Sequence, residues 1–120
     1  MSGVLSLLPG VVGAGASLAV TANNVTRVET GFAGSGLVTT NQSPNTVVTG
    51  GIAPYTYAWA RVSGSTVPAV SSATVATPSW SGVCASEVEE AAVWRVTVTD
   101  AAAAEATADI TISLNWFNLA

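Results

Sequence analysis

Tyr55-Thr56-Tyr57-Ala58-Trp59-Ala60-Arg61 sets its aromatic residues at every second position. In an extended chain successive side chains point to opposite faces, so Tyr55, Tyr57 and Trp59 share one side of a strand. Two later runs repeat the period. Val93-Trp94-Arg95-Val96-Thr97-Val98-Thr99 opposes Trp94, Val96 and Val98 to Val93, Arg95, Thr97 and Thr99. Thr107 to Leu114 opposes Ala108, Ile110, Ile112 and Leu114 to Thr107, Asp109, Thr111 and Ser113. Strands that are apolar on one side hide it by packing face to face, which predicts an all-β, antiparallel β-sandwich of about seven strands. The expected core holds Tyr57, Trp59, Trp94, Val96, Val98, Ile110 and Ile112, with Trp59 at its centre.

Outward from these runs the pattern weakens. Ser17 to Thr30 reads as a first strand, with Leu18, Val20 and Ala22 alternating against Ser17, Ala19 and Thr21. Gly31 to Gly36 punctuates before a short run, Leu37 to Thr40, and Asn41 to Asn45 supplies a turn around Pro44. Thr46 to Thr49 ends at Gly50-Gly51, and brief strands are expected at Val67 to Ser71 and Thr74 to Trp80. Ser86 to Ala92 carries a capping-box spacing, Ser86 to Glu89, which predicts one helical turn there. Asp100 to Ala106 is alanine-rich but too short for a stable helix. The expected organisation is an extended N-terminal arm (residues 1–16), a sandwich (17–114) and an aromatic C-terminal tail (115–120).

The chain has 120 residues, 49% of them hydrophobic and only 8% charged, with net charge −4. Soluble domains carry roughly a quarter charged residues, so this surface must be built of Ser, Thr, Asn, Gly and Ala. Few ionic groups also means little protection against self-association, which points to a packed assembly. Arg27, Arg61 and Arg95 are the only basic side chains. Three scattered arginines make no phosphate-binding face and no polybasic membrane patch, so nucleic acid and membrane are not expected partners. Val4 to Val20 is apolar, yet Pro9, Gly10, Gly13 and Gly15 interrupt it and no basic residue precedes it. Neither a conventional secretion signal nor a membrane span is expected from that stretch.

No histidine and no lysine are present, so the usual Ser-His-Asp and Cys-His arrangements and lysine bases are absent. Glu87, Glu89 and Glu90 are close in sequence and are the formal candidates for paired-carboxylate chemistry or a Ca²⁺ site, with Asp100 or Glu105 as further ligands. Their polar, turn-rich setting favours a solvated acidic loop. No enzyme activity, cofactor or metal is expected. Cys84 is alone, reads as a small buried hydrophobe, and leaves the fold to be held by packing without a disulfide. Asn24-Val25-Thr26 and Asn41-Gln42-Ser43 have glycosylation spacing and read more simply as polar turn and strand residues. The exposed-aromatic candidates for sugar stacking are Trp80 and Trp116, with packing against the sandwich or a neighbour as the simpler role.

Gly50-Gly51 followed by Pro54-Tyr55-Thr56-Tyr57-Ala58-Trp59, and later Trp94-Arg95-Val96-Thr97-Val98-Thr99-Asp100, resemble the C and F strands of PKD-like and related immunoglobulin-like domains over roughly Leu37 to Leu114. The resemblance implies that the antiparallel β-sandwich is immunoglobulin-like and places the family's core tryptophan at Trp59. It also puts Trp94 where many such domains set a corner tyrosine, which implies a backbone acceptor for its indole N–H. The glycine usual in the turn after the F-strand aspartate is replaced by Ala101 to Ala104, and the first 35 residues match no pattern of the family.

In style the chain is also similar to small immunoglobulin-like virion proteins of tailed bacteriophages. That similarity implies a capsid decoration or tail-associated role in a virion assembled in the host cytoplasm, with other virion proteins, and itself as a homo-oligomer, for partners. The expected docking residues are Leu5, Leu7, Leu8 and Val11 in the arm and Trp116, Phe117 and Leu119 in the tail. The alternative is a carbohydrate-binding or adhesive module with a glycan for its partner.

Overall fold

The computed structural model describes residues 17–120. The arm, with Leu5, Leu7, Leu8 and Val11, lies outside the described residues. Nine strands follow in order: β1 Ala19–Thr21, β2 Val25–Gly31, β3 Ser35–Thr39, β4 Val47–Thr49, β5 Thr56–Gly64, β6 Ala69–Val70, β7 Trp80–Ala85, β8 Glu90–Thr99 and β9 Glu105–Asn118. There is no helix among the described residues. Two main sheets, in strand order β2-β9-β8-β5 and β3-β7-β6, face each other, and β1 pairs with β4 as a small third sheet. The sandwich expected from the alternating runs, immunoglobulin-like as the resemblance implies, is the fold.

The three runs that predict it become β5, β8 and β9, which pair antiparallel: Trp59 lies opposite Val96, and Val96 opposite Ala108. Val96, Val98 and Ile112 are fully buried, and Ile110, Trp59 and Trp94 nearly so. Tyr57 is half-buried and packs on this cluster from its edge. The core spans both sheets, since Val38 of β3 and Trp80 and Cys84 of β7 are also fully buried.

Four local expectations are corrected. Ser17 to Thr30 is two strands: Asn23 donates its N–H to the Pro44 carbonyl, and Asn24 accepts the Thr111 N–H on its side-chain oxygen. These bonds turn the chain from an antiparallel pairing with β4 to a parallel pairing of β2 with β9. Thr74 to Ser79 is loop, and the strand runs from Trp80 to Ala85. The carbonyls of Ala73 and Val75 are engaged instead by the backbone and indole N–H groups of Trp59. The helical turn at Ser86 to Ala92 does not form. Glu87 takes a positive φ of 62° and gives its N–H to the Trp116 carbonyl, and from Glu90 the chain joins the ladder with β9. Finally, Asn115 to Asn118 is not a tail but the end of β9, paired with Val28 to Gly31.

Trp80 is the inter-sheet contact. Its ring meets Trp59 edge-on at 5.2 Å and 83°, and Trp94 at 5.9 Å and 67°. Trp59 donates its indole N–H to the Val75 carbonyl at 2.9 Å, whereas the buried indole N–H groups of Trp80 and Trp94 have no partner among the described residues. The backbone acceptor implied for Trp94 is therefore not found among the described residues. An orphaned buried donor costs about 1–3 kcal/mol, similar to what a Trp→Phe cavity loses in packing. Trp94→Phe should accordingly change stability by less than about 1 kcal/mol, while Trp59→Phe, which also forfeits a made bond, should cost about 2 kcal/mol. Urea denaturation of the two variants checks this; equal losses would mean that Trp94 is hydrogen-bonded in solution.

Candidate functional site

The most heavily bonded polar side chain among the described residues holds a turn. Asp100, nearly buried at the end of β8, accepts three backbone N–H groups: Ala102 and Ala104 on one carboxylate oxygen, each at 2.9 Å, and Ile52 on the other at 3.0 Å. These bonds stabilise the ionised form and hold its carboxyl below the usual carboxylate range, with the Ala104 bond the largest cause. They also explain how a turn without glycine closes. Ala103 adopts a positive φ of 68°, and its N–H returns to the Asp100 carbonyl. The alanines that depart from the family pattern are thus held by the aspartate before them.

The acidic residues do not converge. Glu89 accepts the Ser113 hydroxyl at 2.6 Å and Glu90 the Ser65 hydroxyl at 2.6 Å, while Glu87 sits in the turn before them. Among the described residues no group of three His, Cys, Asp or Glu is placed to hold a metal ion. Arg95 and Asp109, opposite each other on β8 and β9, form a two-pronged pair at 2.7 and 3.1 Å, which lowers the pKa of Asp109 and raises that of Arg95. Cys84 is fully buried, and desolvation, with Glu90 adding to it, pushes its thiol pKa up, away from a reactive thiolate.

The two tryptophans considered for sugar stacking do not present free ring faces. Trp80 is wholly enclosed. Trp116 packs against the core from the end of β9 and donates its indole N–H to the Ala33 carbonyl at 2.9 Å. Its ring occupies the space above Gly31 and Gly36, where a Cβ on either glycine would collide with it. Trp116 is a packing residue, whereas Phe117 and Leu119, its neighbours among the expected docking residues, remain exposed.

A surface feature not read from the sequence emerges from the topology. Between Glu29 and Glu87 the only charged residue is Arg61, on β5. Strands β3, β6 and β7 all come from this interval, so one main sheet carries no ionic side chain. The outward face of that sheet is Ser35, Leu37 and Thr39 on β3, Ala69 on β6, and Ser81, Val83 and Ala85 on β7. Leu37 and Val83 are directly paired and 63% and 62% exposed, and Phe32, in the turn before β3, is 77% exposed. The signal was available as the long charge-free interval, but its meaning depended on knowing which strands share a sheet.

No protein-family model matches the chain. No curated protein sequence matches it either. Among solved structures it is similar to the PKD domain (residues 329–428) of human KIAA0319, with a TM-score of 0.50 and 14% identity, over 87% of this chain and 86% of that one. At this identity the likeness concerns the fold: the chain is a β-sandwich of the immunoglobulin-like, PKD type. Sandwiches of this type are usually non-catalytic scaffolds on which function is carried by surfaces.

Two outcomes follow from these contacts. Because the Asp100 pKa is depressed in the folded state, its contribution is complete above the unfolded value of about 4 and is lost as pH falls through the folded value. Thermal midpoints measured from pH 6 to pH 2 should drop with acid in the native sequence and drop less in Asp100→Asn. Trp116→Ala should destabilise folding by about 2–3 kcal/mol, below the cost of a fully enclosed tryptophan, because the ring is only half-buried. A variant folded as stably as the native chain would return Trp116 to the surface.

Proposed function

We propose that the chain is a non-enzymatic structural module of a larger assembly, and within that class a virion component of a tailed bacteriophage, a capsid decoration or tail-associated protein. The observation that carries this reading is the sorting of charge. One main sheet is free of ionic side chains and exposes Leu37, Val83 and Phe32, while every charged side chain lies on the other sheet or its flanking turns. A neutral face with exposed apolar side chains suits burial against protein, because no charge has to be desolvated when water leaves.

The terminal segments supply the specific docking contacts in this reading. Leu5, Leu7, Leu8 and Val11 belong to a charge-free apolar stretch, and Phe117 and Leu119 stand exposed at the end of β9 and just beyond it. The carbohydrate-binding alternative finds less support, since Trp80 is enclosed and Trp116 is packed over two glycines.

Particles purified on a density gradient should carry the chain. Removing residues 1–16 together with Leu119 and Ala120, which leaves all nine strands in place, should lower its occupancy by about tenfold or more, the loss of one or two anchoring contacts. Undiminished occupancy after both truncations would overturn terminal docking, and a chain never found with particles would overturn the virion role.

A further inference from the structure

Sheet edges present unpaired backbone groups, and proteins that remain monomeric protect them with charge, proline, brevity or a covering loop. Three of the four edges of the main sheets here are protected in one of these ways. β2 carries the ion pair of Arg27 and Glu29, 2.9 Å apart, and the Thr26 N–H is taken by Gln42. At β5 the loop after β6 covers the edge, since Ala73 accepts the Trp59 N–H at 2.8 Å. β6 is two residues long and follows Pro68. β3 has none of these features: its sequence, Ser35-Gly36-Leu37-Val38-Thr39, contains no charge and no proline.

The register states which groups of β3 are free. Ser86 donates its N–H to Gly34 and Thr40 donates its N–H to Trp80, both at 2.8 Å, at the two ends of the β3–β7 ladder. Antiparallel ladders alternate, so Gly36 and Val38 also face β7, and the N–H and C=O groups of Ser35, Leu37 and Thr39 point outward from the sheet. None of these outward groups has a hydrogen-bond partner among the described residues.

We propose that β3 is a self-association edge, through which two copies of this chain join antiparallel about a two-fold axis at Leu37 and continue the three-stranded sheet from one molecule into the next. The edge is complementary to itself. A two-fold contact sets each residue against its mirror position, so a charge at the axis would face its own copy, and β3 bears none. Leu37 then meets its counterpart, and Ser35 faces Thr39 of the second copy, a hydroxyl pairing favoured across strands. Because Val83 is already paired with Leu37, the contact aligns Val83, Leu37 and the same two residues of the second copy in one apolar row. This contact does not depend on where the protein works.

Leu37→Pro is the decisive variant. It deletes an N–H that points away from β7, so it removes the two central intermolecular bonds, one donated by each copy, without touching the intramolecular ladder. Leu37→Lys is the second variant, placing a charge on an already exposed position. In sedimentation velocity the full chain should move from monomer to dimer as concentration rises into the hundreds of micromolar, a range suited to a small, strand-sized contact. Both variants should stay monomeric with an unchanged β-rich circular-dichroism spectrum. A native chain that remains monomeric across that range would overturn the proposal. So would a dimer that survives in folded Leu37→Pro or Leu37→Lys, or one lost in Val83→Lys but kept in both Leu37 variants.

Discussion

The sandwich is held shut at Trp80. Cys84 has no partner, so the two sheets meet without a covalent tie, and the ring from β7 fills the space between Trp59 of β5 and Trp94 of β8. Edge-to-face aromatic contacts of this kind add about 0.5–1.5 kcal/mol each beyond the area they bury. Against this stand two buried indole N–H groups, those of Trp80 and Trp94, without acceptors among the described residues. The arrangement gains shape and apolar area at the expense of hydrogen bonding. Its third member, Trp59, avoids the cost because the loop after β6 brings the Val75 carbonyl to its ring. That same loop covers the β5 edge, so core satisfaction and edge protection rest on one segment.

How much of this was legible depended on whether a segment's burial follows from its own period. β5, β8 and β9 are half-buried along their length, so alternation in the sequence reports directly which side faces inward, and Trp59, Val96 and Ile110 could be placed from it. Trp80 could not. It opens β7 after a run of Ser, Thr and Pro with no alternation, and it is buried because two tryptophans from the facing sheet reach it. The C-terminal aromatics misled for a related reason. Trp116 continues the inward phase of Ile110, Ile112 and Leu114, but its role is set by Gly31 and Gly36, some eighty residues earlier in the chain, whose missing side chains make room for the ring. The charge-poor composition was visible, whereas its confinement to one sheet needed the strand order.

Asp100 shows the same dependence of local structure on distant partners. The alanine turn that follows it lacks a glycine for its left-handed residue, and αL conformation at Ala103 is unfavourable in isolation. The carboxylate compensates by accepting two N–H groups from the turn and a third from Ile52, which ties the β8–β9 hairpin to the chain leading into β5. A single side chain thereby orders two connections at one end of the sandwich.

Sorting of charge and protection of edges converge on the same sheet. In the four-stranded sheet the Arg95–Asp109 pair lies across β8 and β9 on the outward face, where it keeps that surface hydrated, while the Arg27–Glu29 pair runs along the edge strand β2 in phase with the buried Val25. The three-stranded sheet has neither ions on its face nor a guard on its β3 edge, yet its inner face is as tightly built as any part of the molecule, with Val38, Trp80 and Cys84 fully enclosed. A neutral outer surface on so well packed a sheet is not a defect of folding. On a rigid, uncharged surface of this kind a contact would be set by shape and backbone pairing rather than by long-range electrostatic attraction.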